Sequence, residues 1–472
     1  MNVDLLITGG TVVTHREIFS GAIAIDKGKI AAIGDPAYLP QAKKTIDVRG
    51  KYVLPGLVDP HIHYHFTERS AADDARTETR ASVAGGVTTQ GIYIGLEGLA
   101  LARDTYFMPP SLRERTEAQA AQKKLMSPQE YKSAFEENSV CDGFFHVQTG
   151  KGLTQEQAES LCEFGITSFK LAPHMAGLSD ADVFKAFRII KSLRPPALAL
   201  IHCENMDIAQ LLGEEVMRSG RTDHQVYNDS RPRFVETEYM SRAIYLAQAT
   251  GCPLYVVHIT VGEGVDLLAR AKADGVKVIG ETCPQYLTHS SEDAVPLLRE
   301  NPVLTKVNPP LRDNWSNEKL WEGIKLGLIE TIGTDHSPRK RSEKVGTVWE
   351  SRPGLGNLTE MTLPIMLTEG YHKRGLPLTK IVELCSYNPA RIFGIHPRKG
   401  SLAPGSDADI VVVDLEKEVK VSAADLHSRC DYSIYEGWEC RGWPVMTLVR
   451  GNVVMENGAI TGMPGTGRYI AR

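Results

Sequence analysis

The chain has 472 residues, of which 42% are hydrophobic and 24% charged, with a formal net charge of −5. That length exceeds one ordinary core, so either one large α/β barrel with additions or two to three domains are expected, with the composition of a soluble globular protein. The small negative charge excludes the basic footprint of a nucleic-acid binder and points to a small-molecule partner.

The opening MNVDLLITGGTVVT carries Asp4 and only a short apolar run before Gly9 and Gly10. This is neither a signal peptide nor a membrane span, so a cytoplasmic protein without a membrane partner is expected. The eight cysteines are scattered, with no close CxxC pair, as suits reduced intracellular thiols. Over the first fifty residues the runs DLLITGGTVV, GAIAID, KIAAIG and KTIDVRG alternate with Gly and Asp turns and predict a small antiparallel sheet. The pattern then changes. Eight apolar, strand-like segments recur between helical stretches: VLPGLVDPHIH, GVTTQGIYIG, DGFFHVQT, GITSFKLA, ALALIHCEN, PLYVVHIT, VKVIGETC and LIETIGTDHS. Eight is the number a (β/α)8 barrel requires, and the spacers are long enough for crossover helices. The polar loop from about 98 to 130, with DTYFMPPSLRERTE, fits a lid or a subunit contact.

After NPARIFGI the β-like runs return in DADIVVVDL and VMTLVRGNVVMENG. The chain ends are therefore expected to complete one β-sandwich beside the barrel. The division is 1–54 and 398–472 for the sandwich with a C-terminal tail, and 55–397 for the barrel.

Ligand-type side chains fall where these strands should finish. His61 and His63 lie two apart, so a strand's period of two turns both imidazoles to one side. His202 ends ALALI, His258 ends PLYVV, and Asp335 ends the IETIGT run. Active sites of this barrel form at the C-terminal ends of several strands, so these groups would converge on one mouth. Lys170, in GITSFKLAPHM, is an amine in an apolar run. Taken alone it reads as half of a buried ion pair, because a desolvated ammonium must pair or lose its proton. Taken with the five other strand-end groups it joins a set suited to two divalent ions and a shared, activated water, which describes a hydrolase.

The motifs LPGLVDPHIH, GGVTT, TSFK, IHCEN, VVHIT, GETCPQYL, NPPLR, IGTDHSP, NPARIFG, KGSLAPGSDADIVVVD and YEGWECRGWP run in order through nearly the whole chain. Together they resemble the cyclic amidohydrolases of the hydantoinase and dihydropyrimidinase type, with allantoinase and dihydroorotase as relatives. The resemblance implies that Lys170 takes up carbon dioxide as a carbamate (N6-carboxylysine) whose two oxygens bridge two metal ions. One ion would take His61, His63, the carbamate and Asp335, and the other His202, His258 and the carbamate's second oxygen. It further implies attack of a bridging hydroxide on a ring carbonyl, with Asp335 moving the proton to the leaving ring nitrogen, and a homotetramer. Zinc suits the imidazole-rich set, with manganese or iron as alternatives.

The substrate is less constrained. Hydantoinases usually place a tyrosine five residues after the bridging lysine, and this chain has Met175 there with His174 before it. His174 is the candidate replacement donor, with Tyr64 and Tyr286 behind it. Where dihydroorotases carry an arginine after the second histidine this chain has His65, whereas Arg69 stands where allantoinase-like sequences have one. Asn308 and Gly354 occupy the family's substrate-contact places, and His146, His224, His289 and His336 are assigned to packing or surface. An allantoinase-like or dihydroorotase-like ring hydrolase is the alternative within the family. A non-catalytic assembly protein on the same scaffold is the alternative outside it, and the complete ligand set favours an enzyme.

Overall fold

Each of the eight apolar runs forms a strand of one parallel sheet: β1 (Leu57–His63), β2 (Val87–Ile94), β3 (Asp142–Thr149), β4 (Ser168–Leu171), β5 (Leu198–Ile201), β6 (Leu254–Val256), β7 (Val278–Thr282) and β8 (Ile329–Ile332). In this computed structural model, residues 2–64, 70–95, 114, 126–173, 177–292, 297 and 300–472 are described. Most of the 98–130 loop, with His65, Arg69, His174 and Met175, lies outside them. The strands are short and almost wholly buried, as parallel strands covered on both faces must be. Helices between them start where the sequence supplies caps: Ser127 with Glu130, Thr154 with Gln157 and Ser179 with Asp182 each form a reciprocal capping box.

The sheet runs in order from β1 to β8, and its first and last strands meet just beyond β8. There Ile62 bridges His336, and the His63 amide donates to the His336 carbonyl at 2.9 Å. This seam brings the two ends of a long sequence together.

The chain ends build two further sheets. One has four strands in the order Lys29–Gly34, Ala22–Asp26, Val3–Thr8 and Ala42–Asp47, and it is mixed, because Val3–Thr8 pairs in parallel with Ala42–Asp47. The expected antiparallel sheet is thus corrected: alternation in sequence reports which face is buried, and it leaves the direction of the neighbour open. The other has seven strands and interleaves the ends, with Tyr52–Pro55 pairing antiparallel to Ile410–Lys420. Leu5, Ile7, Ile23, Val53, Ile410 and Leu448 pack into one core between the sheets. From that sheet the chain steps into β1 at Gly56, where a Cβ would lie 2.2 Å from Thr88 Oγ1.

Barrel and sandwich are joined by Lys399, whose buried ammonium meets Asp142 at 2.5 Å, Asp409 at 2.6 Å and Asp407 at 3.0 Å. All eight cysteines are buried free thiols. Among the described residues, no helix is long and apolar enough to cross a membrane.

Candidate metal centre

The period of β1 sets His61 and His63 on one side of the strand, and the seam with β8 places Asp335 against them. Asp335 Oδ1 lies 3.3 Å from His61 Nε2 and 2.8 Å from His63 Nε2. The donor atoms of these three side chains fall within 4.8 Å of one another. A second pair forms beyond β5 and β6, where His202 Nδ1 and His258 Nε2 are 3.0 Å apart. The two groups adjoin, with the His61 and His258 ring centroids 5.3 Å apart.

Backbone conformation helps to aim these donors. His258 and Asp335 have φ of 38° and 55°, in the left-handed region that non-glycine residues rarely occupy. Such strain costs on the order of 1 kcal/mol or more per residue and collects at functional sites.

Buried carboxylates orient the imidazoles from behind. His61 Nδ1 donates to Glu281 Oε1 at 2.7 Å, which leaves Nε2 turned toward Asp335 with its lone pair. The same Glu281 oxygen accepts the His258 amide at 2.9 Å, and the other accepts the Tyr255 hydroxyl at 2.7 Å. His202 Nε2 donates to Glu204 at 2.7 Å, which leaves Nδ1 facing His258. Glu204 is held in turn by Arg231 at 2.8 Å. Burial opposes its ionisation, yet Arg231 and His202 keep its carboxyl down at about 2. Carboxylates fixing the tautomer of metal-binding histidines are a recurrent arrangement. Sequence reasoning missed Glu204 and Glu281. A signal was present, since an acid inside an apolar strand such as VKVIGET needs a buried partner.

The protonation states match a cation-binding role. Burial lowers His63 to about 4, and burial together with the charge of Lys170 drives His258 well below its ordinary value, so both imidazoles are neutral at pH 7. Burial alone would raise Asp335, but His61 and His63 hold it well below the usual carboxylate range. Burial would lower His61, and the Glu281 and Asp335 carboxylates raise it instead.

Lys170 lies on β4 in register with Gln148 and Leu200, and its side chain is buried. Its Nζ has no hydrogen-bond partner among the described residues and sits 5.2 Å from the Tyr93 ring centroid. That ring also packs on His61 and His63, at 4.5 and 5.0 Å. Burial lowers Lys170 to about 8, and its charge depresses His63, His202 and His258 together. Its strand pairs with β5, whose next residue His202 donates its amide to the Leu171 carbonyl, and the Tyr93 ring beside Nζ packs on His61 and His63. All six strand-end groups named from the sequence come together here.

Other sequence-named residues are distributed around this centre. Asn308 accepts the Tyr227 hydroxyl, and Gly354 has φ of +119°, with a Cβ position only 2.9 Å from Ser337. The Tyr64 and Tyr286 hydroxyls donate to Gln90 and to the Pro309 carbonyl, so both are committed to structure. His146 bonds Ser168 and the Pro60 carbonyl, His289 the Ile434 carbonyl, and His336 Glu78, all buried packing roles. Arg69 and His174 lie outside the described residues.

The arrangement has known relatives. The model of the amidohydrolase family matches residues 153–454. An L-hydantoinase of Paenarthrobacter aurescens is 32% identical, with 99% of this chain and 98% of the relative covered. An allantoinase of Rubrobacter xylanophilus is 34% identical, covering 99% and 97%. The crystal structure of dihydropyrimidinase from Brevibacillus agri superposes with a TM-score of 0.86 at 30% identity, covering 99% and 98%.

Proposed function

This chain belongs to the amidohydrolase family, and from that premise we propose that it opens the ring of a cyclic amide, imide or ureide at a two-metal centre. It is a hydrolase of carbon–nitrogen bonds in cyclic amides. In this reading His61, His63 and Asp335 would hold one divalent cation and His202 and His258 a second, and the carbamate of Lys170 would serve as a further ligand. The observation that carries it is the buried Lys170 amine, without a hydrogen-bond partner among the described residues, near two imidazole groups whose outer nitrogens are engaged by carboxylates. His61 Nε2 and His258 Nδ1 likewise have no hydrogen-bond partner among those residues. The donor set fits: three imidazoles held below their ordinary value, a fourth between two carboxylates, an ionised carboxylate, and nitrogens 3.0 Å apart that can share one ion.

Carbon dioxide adds to the neutral Lys170 amine, forming an N–C bond as a proton leaves to solvent. Burial supports this step by lowering the amine to about 8. When bound, two divalent cations, zinc by preference and manganese or iron as alternatives, supply Lewis acidity and acidify water. Asp335 accepts the proton of the attacking water and delivers it to the ring nitrogen as the carbon–nitrogen bond breaks, leaving a carboxylate and an open chain. Asn308 and the Gly354 turn are assigned to the ring itself, with His174 and Arg69 as further contacts. A hydantoin- or dihydropyrimidine-like ring is the first choice. Met175 in place of the hydantoinase tyrosine favours an allantoin-like ureide as the second. The free thiols agree with a cytoplasmic enzyme, and size-exclusion chromatography tests the homotetramer implied by the family resemblance.

The reading is tested by supplying divalent metal and bicarbonate and assaying hydantoin, dihydrouracil, allantoin, dihydroorotate and simple cyclic imides. Ring opening of at least one is expected. Protein that binds no divalent ion and opens none of them contradicts it.

A further inference from the structure

Lys344 is buried, and among the described residues it forms no ion pair with a carboxylate. Its ammonium instead donates to three backbone carbonyls, of Leu304 at 3.0 Å, Lys306 at 2.9 Å and Gly354 at 2.8 Å. Three donors meet three acceptors, so the group is fully used in ordering backbone. The segments it joins are those assigned to substrate contact. One runs from Leu304 to Asn308, and the other is the turn from Ser351 to Leu355.

Further bonds show what is being held. The Gly354 amide donates to the Lys306 carbonyl at 3.0 Å, Lys306 Nζ to the Ser351 carbonyl at 2.6 Å, and Arg339 Nε to the Pro353 carbonyl at 2.9 Å. The turn is tied in the other direction to the metal-facing strand end. His336 bridges Leu355, and the Ser337 amide donates to the Leu355 carbonyl at 2.8 Å. A shift of the turn would therefore alter the gap between Asn308 and the continuation of β8, one residue from Asp335.

We infer that Lys344 is a positioning residue that fixes the spacing between the 304–308 segment and the 351–355 turn, and so sets how tightly the substrate ring is held. The inference rests on the ring-opening reading for its substrate, and on the carbonyl cage for its mechanism. Burying an amine against carbonyl dipoles alone is costly unless its bonds are kept, and its loss removes the Gly354 carbonyl's Lys344 donor, while the Lys306 carbonyl keeps the Gly354 amide and the Leu304 carbonyl keeps the Tyr432 hydroxyl. A residue that merely stabilised the fold would lower the denaturation midpoint and leave ground-state binding intact.

The test compares wild type with Lys344→Met, similar in shape without donors, and Lys344→Gln, which keeps two donors and serves if the first does not fold. Amide hydrogen exchange and steady-state kinetics on the metal-loaded enzyme are the readouts. Expected for K344M are a rise in KM of about tenfold with kcat changed less than about threefold, unchanged metal content, and K344Q in between. Exchange protection should fall in 304–308 and 351–356 while β1 and β5 keep theirs. Unchanged KM, or equal protection of the two segments, overturns the inference. If wild type opens no ring the functional reading fails, and the exchange comparison alone then decides whether Lys344 sets the spacing.

Discussion

Lys399 and Lys170 are both buried lysines, one at the seam between barrel and sandwich and one at the barrel mouth, and their surroundings are opposite. Around Lys399 three carboxylates lie within 3.0 Å. Burial alone would lower its pKa, but Asp409, Asp142 and Asp407 hold it above the ordinary lysine value. Around Lys170 there is no hydrogen-bond partner among the described residues, and burial lowers it to about 8. The seam thus spends its buried charge on joining two sheets and a barrel, whereas the mouth keeps a buried amine without a hydrogen-bond partner among the described residues, at a cost in stability. A buried lysine in a sequence is ambiguous between these uses, and its neighbours decide.

The largest expected effect separates the two lysines by activity. Lys170→Met should reduce turnover below detection at ordinary metal concentrations, and Lys170→Ala should recover part of it when a short-chain carboxylic acid replaces the bridge. Denaturant unfolding should show the metal-free K170M protein at least as stable as wild type, because no ion pair is broken and a buried amine without a hydrogen-bond partner among the described residues is removed. Full activity in K170M would remove the contrast.

Next in size is Lys399→Met, which removes the shared ammonium and leaves the buried Asp409 without its ion-pair partner, while Asp142 keeps Arg450 and Asp407 keeps Lys29 and Arg398. Urea unfolding should show a loss of about 3–5 kcal/mol, the range for removing one partner of a buried pair. Turnover at low temperature, by contrast, should survive. A K399M protein as stable as wild type would mean that the seam does not depend on this hub.

Smaller effects fall on the carboxylates behind the imidazoles. Glu281→Gln and Glu204→Gln should each weaken metal binding by about 10–100-fold, the usual cost of losing an outer partner of a metal-binding histidine. Competition with a chelator measures this, and unchanged affinity in both would show that the imidazoles are oriented otherwise.

The smallest concerns pH. Asp407 is depressed to about 2 in the folded protein from an ordinary 3.8; burial opposes this, but Lys399, Lys29 and Arg398 prevail. A depressed acid adds stability that is complete above the unfolded value and disappears as pH falls through the folded one. Stability of the seam should therefore hold at pH 5 and above and decline between roughly pH 4 and 2. Unfolding midpoints across that window should show less decline in K399M.

Much of this was legible in the sequence for a physical reason. Several barrel strands are short, buried runs with a polar ligand-type residue at or just beyond their end, so GITSFK, ALALIH and PLYVVH mark both the strand and the group it presents. The (β/α)8 barrel and the convergence of His61, His63, Lys170, His202, His258 and Asp335 follow from that pattern. Strand pairing in the first sheet did not, because Val3–Thr8 has the same alternating burial whichever direction Ala42–Asp47 takes. Glu204, Glu281 and Tyr93 were hidden differently. Glu204 stands two residues from its partner His202, whereas the partners of Glu281 and Tyr93 lie on other strands, and only the barrel brings Glu281 against both His61 and His258. The hub at Lys399 was hidden too, since Asp142 opens a barrel strand far away in sequence.

The central claim is that Lys170 is a carbamate joining two metal ions, and one measurement addresses it directly. Protein reconstituted with zinc and 13C-bicarbonate is examined by carbon NMR and metal analysis, alongside Lys170→Ala. The account expects one labelled carbamate carbon and two metal ions per wild-type chain, with the carbon absent from K170A and metal content reduced. Two tightly bound ions in wild type with no labelled carbon, or an identical carbon signal in K170A, would contradict it.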